Sequence, residues 1–97
     1  MGCYFIAQIK IHDQEAYNKY LERFDEIFDK YQGEIVTVKE KPTVLEGDWD
    51  YSRIVIFRFP SEDEAKKWYY SSEYQSILKY RLKASNSLVL LVNDRQR

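Results

Sequence analysis

Residues 53–59 read Arg-Ile-Val-Ile-Phe-Arg-Phe. β-branched and aromatic types dominate this run, which reads as a strand. Successive side chains of a strand point to opposite faces. Val55, Phe57 and Phe59 therefore share one side, with Ile54 and Ile56 on the other. An antiparallel strand with one wet face alternates apolar and polar residues, and this strand does not. Residues 87–92, Ser-Leu-Val-Leu-Leu-Val, are also apolar on both sides. Both faces of the sheet are expected to be covered, and the rest of the chain decides by what.

Upstream lies the connection 45–53, Leu-Glu-Gly-Asp-Trp-Asp-Tyr-Ser-Arg. Before it, residues 34–40 form a second strand, with Pro42 closing it or marking an edge. Residues 3–11 form the first strand, and Asp13 stands where a helix N-cap belongs. Ala16, Tyr17, Tyr20, Leu21, Phe24, Ile27, Phe28 and Tyr31 then recur at steps of three and four, one apolar stripe on a long helix. Gly33 is expected to stop it in a left-handed conformation. Downstream, Ser61 and Glu64 have capping-box spacing, and Ala65, Trp68 and Tyr69 give the next helix its apolar side. Ser72 and Gln75 repeat the spacing, and Tyr74, Ile77, Leu78, Arg81 and Leu82 share a face of a further helical segment. After the last strand, residues 93–97 are expected to fray.

The order is β-α-β-β-α-β, an α+β chain with the split, ferredoxin-like pattern, an antiparallel sheet and helices on one face. No element is left to cover the other face. A second copy is the simplest cover, so a homodimer through sheet faces is expected, since exposed apolar patches of that size are unusual. Lys10 and Arg58 would sit at the margins of that contact.

The chain, residues 1–97, is expected to be one domain. At this length roughly 65% of the unfolded surface is buried, enough to fold without metals or disulfides. A net charge of −1 gives no general attraction to nucleic acid or anionic membranes. Acidic residues gather in 13–31 and basic ones in 61–97, which reads as two solvated helix faces. Cys3 is the only cysteine and can form no intrachain disulfide, in keeping with a reducing compartment. No apolar stretch approaches membrane-spanning length and no secretory pattern opens the chain, so a cytoplasmic location is expected.

A set of residues in order adds a resemblance: Asp13 with Tyr17 and Tyr20, Gly33, Glu46-Gly47-Asp48-Trp49, Arg53 leading a β-branched run, Phe59-Pro60-Ser61, Ala65 with Trp68-Tyr69, Ser72-Glu73-Tyr74, and Arg81. The chain resembles the domain of unknown function 1330 family, of the dimeric α/β-barrel superfamily, over about residues 4–92. It departs from that pattern at Gln32, where a second glycine is usual, and at 39–43. The resemblance implies a ferredoxin-like protomer and a dimeric α/β barrel. Superfamily relatives include cofactor-independent monooxygenases, haem-handling enzymes, muconolactone isomerase-like enzymes and ligand-sensing domains, which is analogy at the level of fold.

Glu46, Arg53, Tyr74 and Arg81, with Trp49 and Trp68, are the candidate ligand-binding residues. Guanidinium groups offer planar forks to a carboxylate. The two tryptophans would wall the apolar part of a ligand, and a tyrosine hydroxyl could donate to a developing oxyanion. The same residues admit a second reading: Glu46 pairs with Arg53 or Arg81 to pin the connection, and Trp49 plugs the core. His12, the lone histidine, reads as a surface residue at a strand–helix junction. No metal-ligand spacing, phosphate loop or nucleophile elbow is present. Two functions follow. One is a small homodimeric protein that binds or transforms a small aromatic or acidic metabolite with no cofactor. The other is a non-catalytic regulatory or interaction module without a ligand cavity.

Overall fold

The computed structural model describes residues 2–95. Its elements run β1 (Cys3–Ile11), α1 (Gln14–Phe28), β2 (Glu34–Glu40), β3 (Arg53–Phe59), α2 (Glu62–Tyr69), α3 (Ser72–Ala84) and β4 (Ser85–Asn93). The strands form one sheet in the order β2-β3-β1-β4, and each neighbouring pair is antiparallel. This is the split β-α-β-β-α-β arrangement, with its second helical unit broken into α2 and α3. The helices form one layer on one face of the sheet, in a slab 15 Å thick.

α1 begins as its cap predicts: the Asp13 side chain accepts from the Ala16 N–H at 3.2 Å. Tyr17, Tyr20, Phe24, Ile27 and Phe28 bury its apolar stripe. The helix ends at Phe28, before Tyr31, and Gly33 does not terminate it. Its last carbonyls are taken by a tightened turn, Lys30 N–H to Ile27 O at 3.2 Å and Tyr31 N–H to Phe28 O at 3.0 Å. Gly33 serves packing instead of a left-handed conformation. A Cβ there would fall 2.6 Å from Phe28 Cζ and 2.6 Å from Phe59 Cε1.

Ser61 caps α2, its Oγ accepting from the Glu64 N–H at 3.2 Å. The cap of α3 is Ser71, one residue before the expected Ser72. Ser71 Oγ accepts from the Tyr74 N–H at 3.1 Å and donates to the Trp68 carbonyl at 2.7 Å, so one hydroxyl ends α2 and starts α3. Tyr74, Ile77, Leu78 and Arg81 are buried, whereas Leu82 is 63% exposed and off that face. β4 starts two residues earlier than 87 because the Ala84 carbonyl accepts from the N–H groups of His12 and Asp13, docking the helix end on the β1–α1 junction. The chain beyond β4 is tied as far as Asp94, which donates its N–H to Gly2 O at 2.8 Å and holds Arg58 through its carboxylate. Gln96 and Arg97, the rest of the expected frayed tail, lie outside the described residues.

The core centres on Trp68, which is fully buried. Its indole lies 4.3 Å from the ring of Tyr74, 5.1 Å from Phe5, 5.3 Å from Phe28 and 5.5 Å from Phe59. On the other face of the sheet Ile6, Ile54 and Ile56 are half-buried, and Leu88, Leu90 and Val92 are exposed. Lys10 is drawn to Asp50 and Arg58 to Asp94 at the ends of this apolar face.

Substituting Gly33→Ala is expected to cost about 1–3 kcal/mol, because neither phenylalanine ring can retreat from a new methyl group in a packed core. The urea midpoint reads it; an unchanged midpoint would show that the rings repack freely.

Candidate functional site

The helix layer is tightly packed around Trp68 and hollow beside it. A cavity of about 190 Å³ lies between α1 and the sheet. Phe5, Ala7 and Ile9 of β1 and Val55 and Phe57 of β3 form its floor, and Tyr17, Tyr20 and Phe24 of α1 its roof. Leu21 and Asp25 of α1 and Ile35 and Val38 of β2 stand at its mouth. The mouth exists because β2 is an edge strand that α1 does not cover. Its register shifts between Ile35 and Thr37, so that Ile35 opposes Phe57 and Val38 opposes Val55. Without this bulge, residues 35 and 38 would face opposite sides; with it, both face the cavity.

Two arginines line this apolar space. Arg81 comes from the buried face of α3 and is 2% exposed. Its Nη1 donates to Ser87 Oγ at 2.7 Å, and its guanidinium lies 5.8 Å from the Tyr20 ring centroid. Burial opposes its charge, but the Tyr74 and Tyr20 hydroxyls facing it outweigh that and raise its pKa. The Tyr20 and Tyr74 hydroxyls are bonded to each other at 2.7 Å. Burial pushes the pKa of Tyr20 well above the ordinary tyrosine value, and Tyr74 also rises, with Arg81 pulling against it. Burial raises Tyr17 as well, countered by Arg53 and Arg81.

Arg53 opens β3, with its guanidinium 5.5 Å from the Tyr17 ring centroid. Its Nε is buried without a hydrogen-bond partner among the described residues. Among the described residues neither Arg53 nor Arg81 forms an ion pair. Buried charge without a counter-charge is costly. Ile9 of β1 is flanked by Arg53 on β3 and by Ser87, the partner of Arg81, on β4. The two anchoring positions are thus two strand spacings apart, about 9–10 Å.

Of the six candidate residues, the structure brings Arg53 and Arg81 to the cavity. Tyr74 does not line the cavity; its hydroxyl is bonded to that of Tyr20, which does. Trp68 is sealed in the core. Trp49 lies on the far face of the sheet, where its Nε1 donates to Gln8 Oε1 at 2.8 Å. Glu46 is exposed and pairs with neither arginine among the described residues. The connection is held instead by Asp50 on Lys10 at 2.6 Å, by Ser52 N–H on Ile9 O at 2.7 Å and by Ile11 N–H on Ser52 Oγ at 2.8 Å. His12 is exposed outside the cavity. Tyr17 and Tyr20 line the site and Ser87 holds Arg81, although none was among the candidate ligand-binding residues. The tyrosines sit on an apolar helical stripe that reads as core, and Ser87 looks like an ordinary strand start.

The family model described as a domain of unknown function (DUF1330) matches residues 2–94. The chain belongs to this family. No curated protein matches it. Solved structures share its fold at low identity. A protein of unknown function from Rhodopseudomonas palustris is 16% identical with a TM-score of 0.79, over 99% of this chain and 84% of that one. SnoaB, a cofactor-independent oxygenase from Streptomyces nogalater, is 18% identical with a TM-score of 0.70, over 99% and 95%. A dimeric ferredoxin-like protein of unknown function from Jannaschia sp. is 10% identical with a TM-score of 0.73, over 97% and 100%. Among the described residues no helix is long and apolar enough to cross a membrane.

The tyrosine pair sets a pH dependence. Both folded-state pKa values lie above the ordinary 10.0, so the neutral hydroxyls contribute stability that is fully present below pH 10.0 and lost as pH rises past it. Urea midpoints should fall steeply above that pH, and Tyr20→Phe should make the fall shallower. An equally steep fall in the variant would remove Tyr20 from the account.

Proposed function

We propose that the chain acts as one domain that binds a small organic acid in the cavity under α1, without a cofactor, as a homodimer closed through its open sheet faces. The observation that carries this reading is the pair of guanidinium groups lining an apolar cavity with no carboxylate paired to either. An organic anion would supply the missing counter-charge, with the fork geometry that arginine offers to carboxylates. The volume suits one ring, since an engineered apolar cavity of about 150 Å³ holds benzene. The aromatic and aliphatic walls suit the rest of such a ligand. Transformation of the bound acid without a cofactor is the extension suggested by the fold shared with the Streptomyces nogalater oxygenase.

The dimer is supported by the apolar face that Ile6, Ile54, Ile56, Leu88, Leu90 and Val92 leave uncovered. The relative from Jannaschia sp. is described as dimeric. Two such faces packed together would form the dimeric α/β barrel.

Native mass spectrometry of protein purified without added ligand tests both parts. A dimer mass is expected, with a retained small acid or with binding restored by added aromatic acids. Leu90→Glu should give monomers, and a dimeric variant would place the interface elsewhere. Arg53→Met should weaken acid binding at least tenfold, the order expected for a hydrogen bond to a charged group. Its ligand-free unfolding midpoint should stay level or rise, because a half-buried charge with an unmet donor is removed. If Arg53→Met binds acids as the parent does, the anion reading fails.

A further inference from the structure

The two arginines are not equivalent. Arg81 is 2% exposed and already engaged: Nη1 holds Ser87, and the guanidinium faces the Tyr20 ring and the Tyr74 hydroxyl. Arg53 is half-buried, lies against the Tyr17 ring, and its Nε has no partner among the described residues. The group with donors left for a ligand is Arg53. On the other side Tyr20 lines the cavity, and its hydroxyl is bonded to that of Tyr74.

We infer, resting on the acid-binding reading of the cavity, that the ligand is a single-ring aromatic acid with a hydroxyl or carbonyl oxygen at the far end of the ring from its carboxylate. Arg53 holds the carboxylate and the Tyr20 hydroxyl meets the far oxygen. Tyr74 and Arg81 are positioning residues. They fix the Tyr20 hydroxyl through the 2.7 Å bond between the two tyrosines.

Three observations support this polarity. The Arg53 guanidinium lies 5.5 Å from the Tyr17 ring and the Tyr17 ring 5.5 Å from the Tyr20 ring, a span that one ring with a polar group at each end can fill. The flat walls between them are Tyr17, Phe24 and Phe57. Asp25 stands at the mouth eight residues along α1 from Tyr17, about 12 Å away at the helical rise. Its carboxylate repels a ligand carboxylate there and directs the charged end toward Arg53. At the Tyr20 end, a hydroxyl or carbonyl is met by neutral hydroxyls, and Arg81 there is already engaged by Ser87 and Tyr74.

Calorimetric titration with benzoate, 3-hydroxybenzoate, 4-hydroxybenzoate and 4-methylphenol tests the assignment, with amide NMR spectra checking that each variant folds. The parent should bind 4-hydroxybenzoate about tenfold more tightly than benzoate or the 3-isomer, the order expected when a buried hydroxyl would otherwise lose its partner. Tyr20→Phe should erase that preference while acid binding persists. Arg53→Met should weaken the acids at least tenfold and spare 4-methylphenol. Tyr74→Phe keeps the Tyr20 hydroxyl but frees its orientation, and should shrink the preference while acid binding persists. It decides the matter if Tyr20→Phe does not fold. Acids that bind with no preference for 4-hydroxybenzoate, or a preference that survives these variants, would overturn the assignment while the cavity remains an acid site. If none of the acids binds the parent protein, the acid reading falls, and this one with it.

Discussion

The indole of Trp68 is the contact on which the rest of the molecule depends. It is carried by the shortest helix, α2, yet it meets rings from β1, α1, β3 and α3 within about 6 Å. Edge-to-face and stacked pairs of this kind contribute beyond the area they bury. Through them, one residue sets how far the helix layer stands from the sheet. Ser71 reinforces the arrangement by holding the Trp68 carbonyl while capping α3. That capped start sets the register of α3, and with it where Tyr74 and Arg81 enter the interior.

The hollow beside this packed centre follows from the same layer. α1 and α3 lie against one another and leave β2 at the edge uncovered, so the sheet floor continues past the roof above it. Apolar side chains alone would let such a gap collapse. Here the gap is lined by Arg53, Arg81 and Tyr20, whose hydroxyl is bonded to that of Tyr74, and their positions are set by α1, β3, α3 and β4. Arg81 is reconciled with burial by hydroxyls and an aromatic face, and Arg53 only in part. A site that leaves a buried donor unmet has given up some stability, and a ligand that meets the donor recovers it.

The long connection between β2 and β3 serves a different face. Its second half is stitched to the end of β1, and Trp49 turns onto the open side of the sheet toward Gln8. Trp49 therefore extends the apolar surface on which the proposed dimer rests, while Glu46, three residues earlier, stays in solvent. The Glu46-Gly47-Asp48-Trp49 block that marks the family in sequence lies outside the cavity in space.

The amino-acid sequence by itself determined β1, β2 and β3, because short runs rich in β-branched and aromatic residues between turn or cap residues suit few structures other than a strand. It determined the start of α1 through Asp13 and of α2 through Ser61, because an N-cap is a local hydrogen bond. It also carried the two-sided apolar character of β3 and β4. Tertiary structure alone decided the end of α1, where Gly33 answers to Phe28 and Phe59 from distant parts of the chain. It decided the choice of Ser71 over Ser72, since only the folded helix pair offers the Trp68 carbonyl. It decided the site as well. Tyr20 on an apolar stripe is indistinguishable from a core residue until α3 brings the Tyr74 hydroxyl to it. Arg53 and Arg81, 28 positions apart, become neighbours of one cavity only when β1 pairs with β3 on one side and β4 on the other. Local hydrogen bonding and side-chain period are written along the chain; the meeting of distant side chains is a property of strand pairing and helix packing.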